Sequence, residues 1–303
     1  MSKAEAKQSI NGILLVNKPQ GLTSNGLLQR VKHLYKAKKA GHTGSLDPLA
    51  TGMLPLCFGE ATKVCQYLLD ADKCYEASGL LGIKTNTADA LGEIIETCSS
   101  FSLTKNDLEN ALKQFQGKIK QTPSMFSALK HKGKPLYKYA RNGITIEREP
   151  REITIHELEL VAFDGKLFDI KVTCTKGTYI RNLVEDIGDI LGVGAHVKKL
   201  HRLNTAGFVN EPMYSLEELE NKSEAELKAC LLPMERAVNF LPAITLKDAE
   251  ILALRQGKGL AKVFDHQQEG SVRLYDEAEL FVGLGELDSS GNLSVRRLLS
   301  IEA

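Results

Sequence analysis

The most informative stretch of this chain spans residues 41–56 and has the sequence Gly-His-Thr-Gly-Ser-Leu-Asp-Pro-Leu-Ala-Thr-Gly-Met-Leu-Pro-Leu. Its one carboxylate, Asp47, lies between Gly44 and Gly52 and directly precedes Pro48. A proline disfavours the helical region for the residue before it, and glycines permit tight turns and close approach by another backbone. No helical periodicity fits these residues. The stretch therefore predicts a shaped loop that presents an acid.

Composition narrows the class of protein. The chain has 303 residues, of which 43% are hydrophobic and 25% charged, as in ordinary globular proteins. No apolar run approaches the ~18 residues of a membrane helix, and Met1–Gln8 lack the apolar core of a signal peptide. We therefore expect a cytoplasmic protein that does not enter a membrane. The six cysteines are scattered without C-x-x-C pairs, which predicts reduced, buried thiols and neither a metal site nor a disulfide framework.

Charge is segregated along the chain although its net value is only +1. Residues 30–39 carry five basic and no acidic side chains, and residues 113–151 carry ten basic side chains against two glutamates. Residues 211–250 reverse the balance, with nine acidic side chains against four basic ones. A basic surface suits a polyanion because phosphate binding releases counterions. Charge alone leaves a simple solvated face as the alternative.

Hydrophobic periodicity predicts alternating helices and strands. The predicted strands are 13–16, 74–83, 152–163, 167–175 and several short ones within 272–299; the predicted helices follow a cap at Thr23 or Ser24, cover 60–70, follow a capping box at Thr104 and Asp107, and cover 179–191 and 214–239. This mixture indicates an α+β fold with a largely antiparallel sheet.

The pattern changes near Pro242, which predicts a large domain at 1–243 and a small β-rich domain at 244–303. Residues 117–150 are rich in glycine, proline and lysine and show little periodicity. We interpret them as a long exposed insertion with a functional role.

The acid-bearing stretch closely resembles the catalytic motif of the bacterial tRNA pseudouridine-55 synthases of the TruB type. Three other segments resemble further motifs of that family, in family order: K-P-x-G at 18–21, D-K-x-Y at 72–75 and K-G-T-Y-I-R at 176–181. The resemblance covers roughly residues 11–205. It implies a pseudouridine-synthase catalytic domain whose mixed sheet is flanked by helices, followed by a PUA-like RNA-binding domain.

The resemblance assigns three catalytic residues. Asp47 corresponds to the family's nucleophile and Arg181 to the arginine that pairs with it. A buried carboxylate needs such a cationic partner, since burial alone favours protonation. Tyr75 corresponds to the tyrosine that packs against the target base and is implicated in the late proton transfer. Each residue taken alone has a plainer interpretation, as a turn, a surface arginine or a core aromatic.

The resemblance also assigns substrate contacts and supports. His42 corresponds to the histidine that fills the space left by the flipped base, and Tyr179 and Leu200 correspond to substrate-binding positions. Lys18 and Pro19 correspond to a structural element beneath the active site. Ordinary packing is the alternative for Tyr179 and Leu200, and a solvent-facing polar group is the alternative for His42.

The insertion resembles the segment with which this family grips RNA. Its basic side chains alternate with aromatic ones, which suits phosphate neutralisation combined with stacking. We expect Lys130, Lys132 and Arg141 to contact the T-arm and elbow of tRNA. The resemblance implies a monomer without an obligate protein partner, and the chemistry requires no cofactor and no metal.

The expected reaction is the isomerisation of uridine 55 in the T-loop of tRNA to pseudouridine, after the base is flipped into a pocket. Three alternatives stay open. One is a guide-RNA-dependent relative, which would carry a longer lysine-rich C-terminal extension. Another is an RNA-folding chaperone in which catalysis is secondary. A glycosidase would need a second carboxylate near Asp47, and Glu60 is the nearby candidate.

Overall fold

A computed structural model describes residues 7–261 and 269–300 of the chain. Most of the polar stretch Met1–Gln8 and the last three residues of the predicted small domain lie outside the described residues. Among the described residues, no helix is long and apolar enough to cross a membrane.

Helices and strands alternate irregularly along the chain. The strands are β1 Gly12–Lys18, β2 Ala40–His42, β3 Thr51–Phe58, β4 Lys73–Leu81, β5 Ile83–Thr85, β6 Ile94–Thr97, β7 Gly117–Gln121, β8 Lys130–His131, β9 Lys134–Pro135, β10 Arg151–Phe163, β11 Leu167–Cys174, β12 Ala195–Thr205, β13 Ala243–Thr245, β14 Gly270–Tyr275, β15 Phe281–Leu287 and β16 Leu293–Leu298. The helices are α1 Ser24–Leu34, α2 Cys65–Asp70, α3 Lys105–Lys113, α4 Leu136–Ala140, α5 Ile180–Ile190, α6 Leu216–Glu220, α7 Glu224–Ala229 and α8 Asp248–Arg255, with short 3-10 helices at Gly59–Lys63 and Met234–Ala237.

One large sheet organises most of the molecule. Its strands lie in the order β1-β3-β12-β4-β11-β10-β7, and β2 pairs with the free edge of β3. The pairing of β12 with β3 is parallel and the other pairings are antiparallel. The predicted α+β class with a mixed, largely antiparallel sheet flanked by helices is confirmed.

The helices pack where their apolar faces predict. Thr23 caps α1 by accepting from the Gly26 N–H, and Leu27, Leu28 and Val31 are buried. Helix α5 buries Leu183, Val184 and Ile187 on one side, at the i, i+1 and i+4 spacing of a single face. That face fixes the helix on the sheet and leaves its first turn beside the acid-bearing loop.

A second, four-stranded sheet in the order β13-β14-β15-β16 closes the chain. With α8 it encloses its own apolar cluster, which includes Leu254, Leu274 and Leu293. Phe281 and Leu284 of β15 belong instead to a cluster shared with Ile13 and Leu15 of β1. The small β-rich region therefore packs directly against one face of the large sheet, at its β1–β3 end. Its identification as a PUA-like domain, and the boundary at 243/244, stay predictions.

Several predicted element bounds need correction. The second half of the acid-bearing stretch is strand β3, because its apolar residues are buried in the sheet rather than presented on a loop. The predicted helix at 60–70 is interrupted at Val64, and the predicted helix at 214–239 is broken into α6, α7 and a 3-10 turn. In the second case Ser215 and Ser223 each start a new capping box, and that signal was present in the sequence.

The predicted insertion at 117–150 is also more regular than its composition suggests. Its first residues form β7, an edge strand that pairs with β10 and points lysines outward, a common protection of sheet edges. A short hairpin, formed by the two-residue strands β8 and β9, and the single-turn helix α4 follow. All six cysteines carry free thiols, and four of them are buried.

Candidate active site

The loop that carries Asp47 connects β2 to β3 and is fastened from the N-terminus of α1. The Ser24 hydroxyl donates to the Leu46 carbonyl at 3.0 Å and accepts from the Leu46 N–H at 2.8 Å. The Pro48 carbonyl accepts from the Gly21 N–H at 2.7 Å. Both residues that flank Asp47 are therefore fixed by hydrogen bonds, and the carboxylate is held in one place.

The buried guanidinium of Arg202 ties the two ends of this loop together. Its Nε donates to the Met53 carbonyl at 2.7 Å and its Nη2 to the Gly44 carbonyl at 2.9 Å. Arg202 faces Gly52 across the parallel β3–β12 pair. Gly52 has φ of 100°, and a Cβ there would lie 2.3 Å from the Arg202 carbonyl oxygen, so only glycine allows the strands to approach this closely.

Asp47 forms an ion pair with Arg181 from the first turn of α5. Nε of Arg181 lies 2.8 Å from Oδ2 of Asp47, and the arginine side chain is only 4% exposed. The other guanidinium nitrogens donate to the Thr87 carbonyl at 2.8 Å and the Phe126 carbonyl at 3.0 Å. Asp89, also buried, lies 3.9 Å from Nη1. The orientation of Arg181 is thus set by three segments of the chain.

The surroundings of Asp47 shift its pKa in opposite directions. Burial raises the pKa of this carboxyl above its ordinary value, the Arg181 charge lowers it, and Asp89 raises it. A carboxylate with a raised pKa retains basicity and nucleophilicity when it ionises. Such tuning is typical of catalytic acids and bases.

Two tyrosines flank the ion pair. Tyr75 lies on β4 directly beside Arg202 of β12, and Tyr179 is the N-cap residue that precedes α5. Burial raises the pKa of Tyr75, which the nearby Arg202 charge opposes, and burial likewise raises the pKa of Tyr179. Both phenols therefore stay protonated at neutral pH.

These side chains share one open cleft of about 580 Å³. Of the sequence-predicted site residues it brings together Asp47, Tyr75, Tyr179, Arg181 and Leu200. The cleft mouth carries cationic groups, including Arg151 and Lys176, and its floor includes Arg202. Asp70 and Glu152 also line the cleft, and Asp70 pairs with Lys176 at 2.7 Å. A cleft that holds an aspartate–arginine pair, two aromatic rings and several cationic side chains suits a flat base attached to a phosphate backbone.

His42 and Lys18 lie next to this cleft without lining it. The His42 ring is half-buried on β2, and burial together with Arg202 lowers its pKa, so the ring is neutral at neutral pH. Lys18 is fully buried, with Nζ donating to the Pro19 carbonyl at 3.0 Å and the Leu22 carbonyl at 2.7 Å. Its geometry is that of a support for the turn beneath the acid loop.

The three predicted RNA-contacting residues lie on the exposed part of the insertion, away from the cleft. Lys130 and Lys132 belong to the β8–β9 hairpin, and Arg141 follows α4 with its guanidinium 5.4 Å from the centre of the Tyr137 ring. The inner end of the insertion reaches the site, because Ser127 and Ala128 line the cleft. The insertion therefore extends from the outer surface to the cleft.

Four contributors to the site were missed from the sequence. Arg202 was hidden in the basic run 198–202, Asp89 in a polar turn, and Lys73 inside a motif valued for its tyrosine. Lys73 lines the cleft, its Nζ donates to the Leu69 and Ala71 carbonyls, and burial lowers its pKa to about 8. Gln121 contacts the start of α5 and carries no local signal at all.

Comparison with family models assigns most of the chain to one family. Residues 32–180 match the model of the TruB family pseudouridylate synthase N-terminal domain. Residues 181–239 match the tRNA pseudouridylate synthase B C-terminal domain, and residues 242–299 match the C-terminal model of pseudouridine synthase II TruB.

Similar proteins extend over the full length of the chain. The chain is 56% identical over 300 residues to the tRNA pseudouridine synthase B of Legionella pneumophila strain Philadelphia 1, covering 99% of both chains. It is 48% identical to the protein of the same name from Coxiella burnetii strain RSA 331, covering 97% of this chain and 96% of the relative. Among solved structures, a Cbf5-Nop10-Gar1 complex matches with a TM-score of 0.73 and 26% identity, covering 95% of this chain and 84% of that one.

Proposed function

This chain belongs to the TruB family of pseudouridylate synthases, and on that premise we propose that it isomerises uridine 55 in the T-loop of tRNA to pseudouridine. The observation that carries the proposal is the Asp47–Arg181 ion pair, 2.8 Å long, in a cleft flanked by Tyr75 and Tyr179. Relatives named tRNA pseudouridine synthase B align with nearly the whole chain. Their names support a tRNA as the substrate, and our proposal places the target in its T-arm.

Asp47 acts at the junction of ribose and base. The reaction breaks the N1–C1′ bond, turns the detached base, forms the C5–C1′ bond and releases the C5 proton, while N1 gains a proton. The carboxylate starts this sequence by attack or by proton removal at the nucleoside. The Arg181 charge opposes the rise in the Asp47 pKa that burial causes, and no step requires a cofactor.

The aromatic and apolar lining of the cleft holds the flipped base. Tyr75 and Tyr179 supply ring surfaces, and Leu200 closes the apolar wall. The raised pKa of Tyr75 keeps its hydroxyl protonated, which favours packing against the base over proton abstraction at the start of the reaction. His42, with its neutral ring, fills the gap that the base leaves in the RNA stack.

The insertion and the small C-terminal region bind the rest of the tRNA. Lys130, Lys132 and Arg141 are exposed and contact phosphates of the T-arm and elbow. The PUA-like region, with Arg296 and Arg297 on β16, contacts the acceptor-stem side. The protein works as a monomer in the cytoplasm without an obligate protein partner.

The test uses an unmodified tRNA transcript that carries tritium at the C5 positions of its uridines. Wild type should release tritium and introduce pseudouridine at position 55 alone, and Asp47→Ala should release none. Tritium release at another position would replace the proposed target.

The same experiment separates catalysis from the chaperone alternative. Wild type that binds tRNA and promotes its folding but releases no tritium would overturn the synthase proposal. An Asp47→Asn variant that still promotes tRNA folding would show that both activities reside in this chain.

A further inference from the structure

The amide of Gln121 clamps the backbone of Tyr179 at two points. The Tyr179 N–H donates to Oε1 of Gln121 at 2.8 Å, and Nε2 of Gln121 donates to the Tyr179 carbonyl at 3.0 Å. Gln121 is 4% exposed, and the two residues are 58 positions apart in sequence. The amide satisfies one donor and one acceptor of the same residue, which requires a fixed orientation of the side chain.

This clamp satisfies the N–H of the N-cap residue, the bond that the N3 side chain makes in a capping box. Tyr179 is the N-cap residue of α5, yet its own side chain makes no capping hydrogen bond. The first N–H groups of a helix need partners from outside the helix, and a buried unsatisfied group is costly. Gln121 supplies this end of α5 with a partner from the edge of the sheet.

The clamped turn carries two groups of the site. The ring of Tyr179 lines the cleft, and Arg181, two residues later, holds Asp47 through Nε at 2.8 Å. A small rotation of this turn would move both groups together. Displacements of about 1 Å at a catalytic centre can lower a rate by about 10²-fold.

Gln121 also lies at the end of β7, where the chain leaves the large sheet and enters the outer part of the insertion. It is the last residue of β7 and pairs with Arg151 of β10, so its backbone is part of the large sheet. Two more contacts connect the segment that follows it to α5: Arg181 to the Phe126 carbonyl at 3.0 Å and Asn182 to the Thr122 carbonyl at 3.2 Å. Four hydrogen bonds, to Tyr179, Arg181 and Asn182, thus connect the base of the insertion to the start of α5.

We propose that Gln121 is a positioning residue for the isomerisation. Gln121 acts through Tyr179 and Arg181 and touches neither the base nor the RNA backbone. The inference rests on the proposed function. Because Gln121 is buried beneath the turn, its loss should affect the step after tRNA has bound more than binding itself.

The first experiment separates rate from affinity. Single-turnover tritium release at saturating enzyme and the Kd for tRNA are measured for wild type, Gln121→Leu and the control Asn182→Ala. Gln121→Leu should lower the single-turnover rate by about 10- to 100-fold and change Kd by less than about threefold. Asn182→Ala removes a neighbouring contact from the insertion to α5 but leaves the Tyr179 clamp intact, and should retain a rate within about threefold of wild type.

A second variant gives a signature that a general loss of packing would not produce. Gln121→Glu keeps the shape of the side chain, and only its protonated form offers one donor and one acceptor as the amide does. Burial raises the pKa of the introduced carboxyl. The rate of Gln121→Glu relative to wild type should therefore rise by about tenfold as the pH falls from 8 to 6, whereas the relative rate of Gln121→Leu should stay constant.

Hydrogen exchange tests the clamp without reference to activity. The Tyr179 amide should exchange about 100-fold faster in Gln121→Leu than in wild type, and at the wild-type rate in Asn182→Ala. Exchange unchanged in Gln121→Leu would overturn the inference, even if that variant is too unstable for kinetics.

The kinetic outcomes are equally decisive. The positioning role would be overturned if wild type is active and Gln121→Leu is equally active. It would also be overturned if the Kd of Gln121→Leu for tRNA rises by the same factor as its single-turnover rate falls. The same holds if Asn182→Ala loses as much rate as Gln121→Leu. Tritium release absent from wild type and Asn182→Ala alike would instead overturn the proposed function.

Discussion

The acid loop at 43–50 and the outer insertion at 128–147 differ in how their side chains are held. The loop is fixed by hydrogen bonds within the protein, whereas the insertion is largely exposed. Asp47 is surrounded by groups whose hydrogen bonds stay within the protein, such as Ser24, Arg181 and Arg202. The outer insertion buries Leu136 and otherwise presents exposed lysines around a two-residue hairpin. In the proposed function, this difference separates a reaction centre held by internal hydrogen bonds from an exposed surface that binds a large RNA.

The largest effect is expected when Arg181, which is fixed beside Asp47, is replaced by another cationic residue. Arg181→Lys keeps the charge but loses the planar fork that contacts Asp47, Thr87 and Phe126 together. We expect the single-turnover rate to fall by about 10³-fold, with Kd for tRNA nearly unchanged.

The matched control is Arg151→Lys at the exposed cleft mouth, where the rate should change by less than about threefold. If Arg181→Lys kept a rate within tenfold of wild type, the centre would need only charge there and not a rigid geometry.

A smaller effect is expected from loosening the acid loop. Arg202→Met removes the donors to the Gly44 and Met53 carbonyls from a fully buried position. We expect the free energy of unfolding to fall by about 2 to 4 kcal/mol and the single-turnover rate by about 10²-fold. Denaturant unfolding and tritium release measure the two quantities.

Arg255→Met serves as the control for Arg202→Met, since Arg255 also donates to a carbonyl, that of Leu299, but far from the cleft. It should leave the rate unchanged. A lower stability of Arg202→Met without loss of rate would mean that the loop keeps its geometry without this clamp.

Substitutions in the insertion should change the affinity for tRNA and leave the reaction rate unchanged. Replacing Lys130, Lys132 and Arg141 together by alanine should raise Kd for tRNA by about tenfold or more and reduce the salt slope of log K by about 2 to 3. The single-turnover rate at saturating enzyme should not change, because none of the three lines the cleft.

Alanine at Lys105, Lys222 and Lys228 makes the same change of charge outside the insertion and the small C-terminal region, and should leave Kd within about threefold of wild type. A comparable loss of affinity in both triple variants would indicate that overall charge, and not the insertion surface, attracts the RNA.

The smallest effect concerns the buried support beneath the acid loop. Burial lowers the pKa of Lys18 from 10.5 to about 8, so folding disfavours its charged form. The penalty is fully present below pH 8 and disappears as the pH rises toward 10.5, because the unfolded chain then binds more protons than the folded one. The free energy of unfolding of wild type relative to Lys18→Met should therefore rise by about 2 kcal/mol between pH 7 and pH 10.

Lys228→Met, an exposed replacement of the same kind, should show no such rise relative to wild type. Parallel stability curves for wild type and Lys18→Met would mean that Lys18 is solvated in the folded protein.

Much of the fold followed from local signals. The capping box at Thr104, the apolar face of α1 and the alternation in β10 each appeared as predicted, because these patterns express forces that act within one element. The break between α6 and α7 was missed although its serine caps were visible. The edge strand β7 was missed because its lysines resemble those of a solvated loop.

By itself the sequence determined the α+β class, the family resemblance and the identity of the acid, since Asp47 and its glycines are contiguous in the chain. Only the tertiary structure decided which groups surround that acid. Arg202 and Gln121 lie 155 and 74 positions from Asp47 in sequence, and nothing in their own neighbourhoods marks them. Their contacts arise because β12 pairs with β3 and β7 ends beside α5, and strand pairing over such distances depends on the burial of the whole sheet rather than on any local pattern.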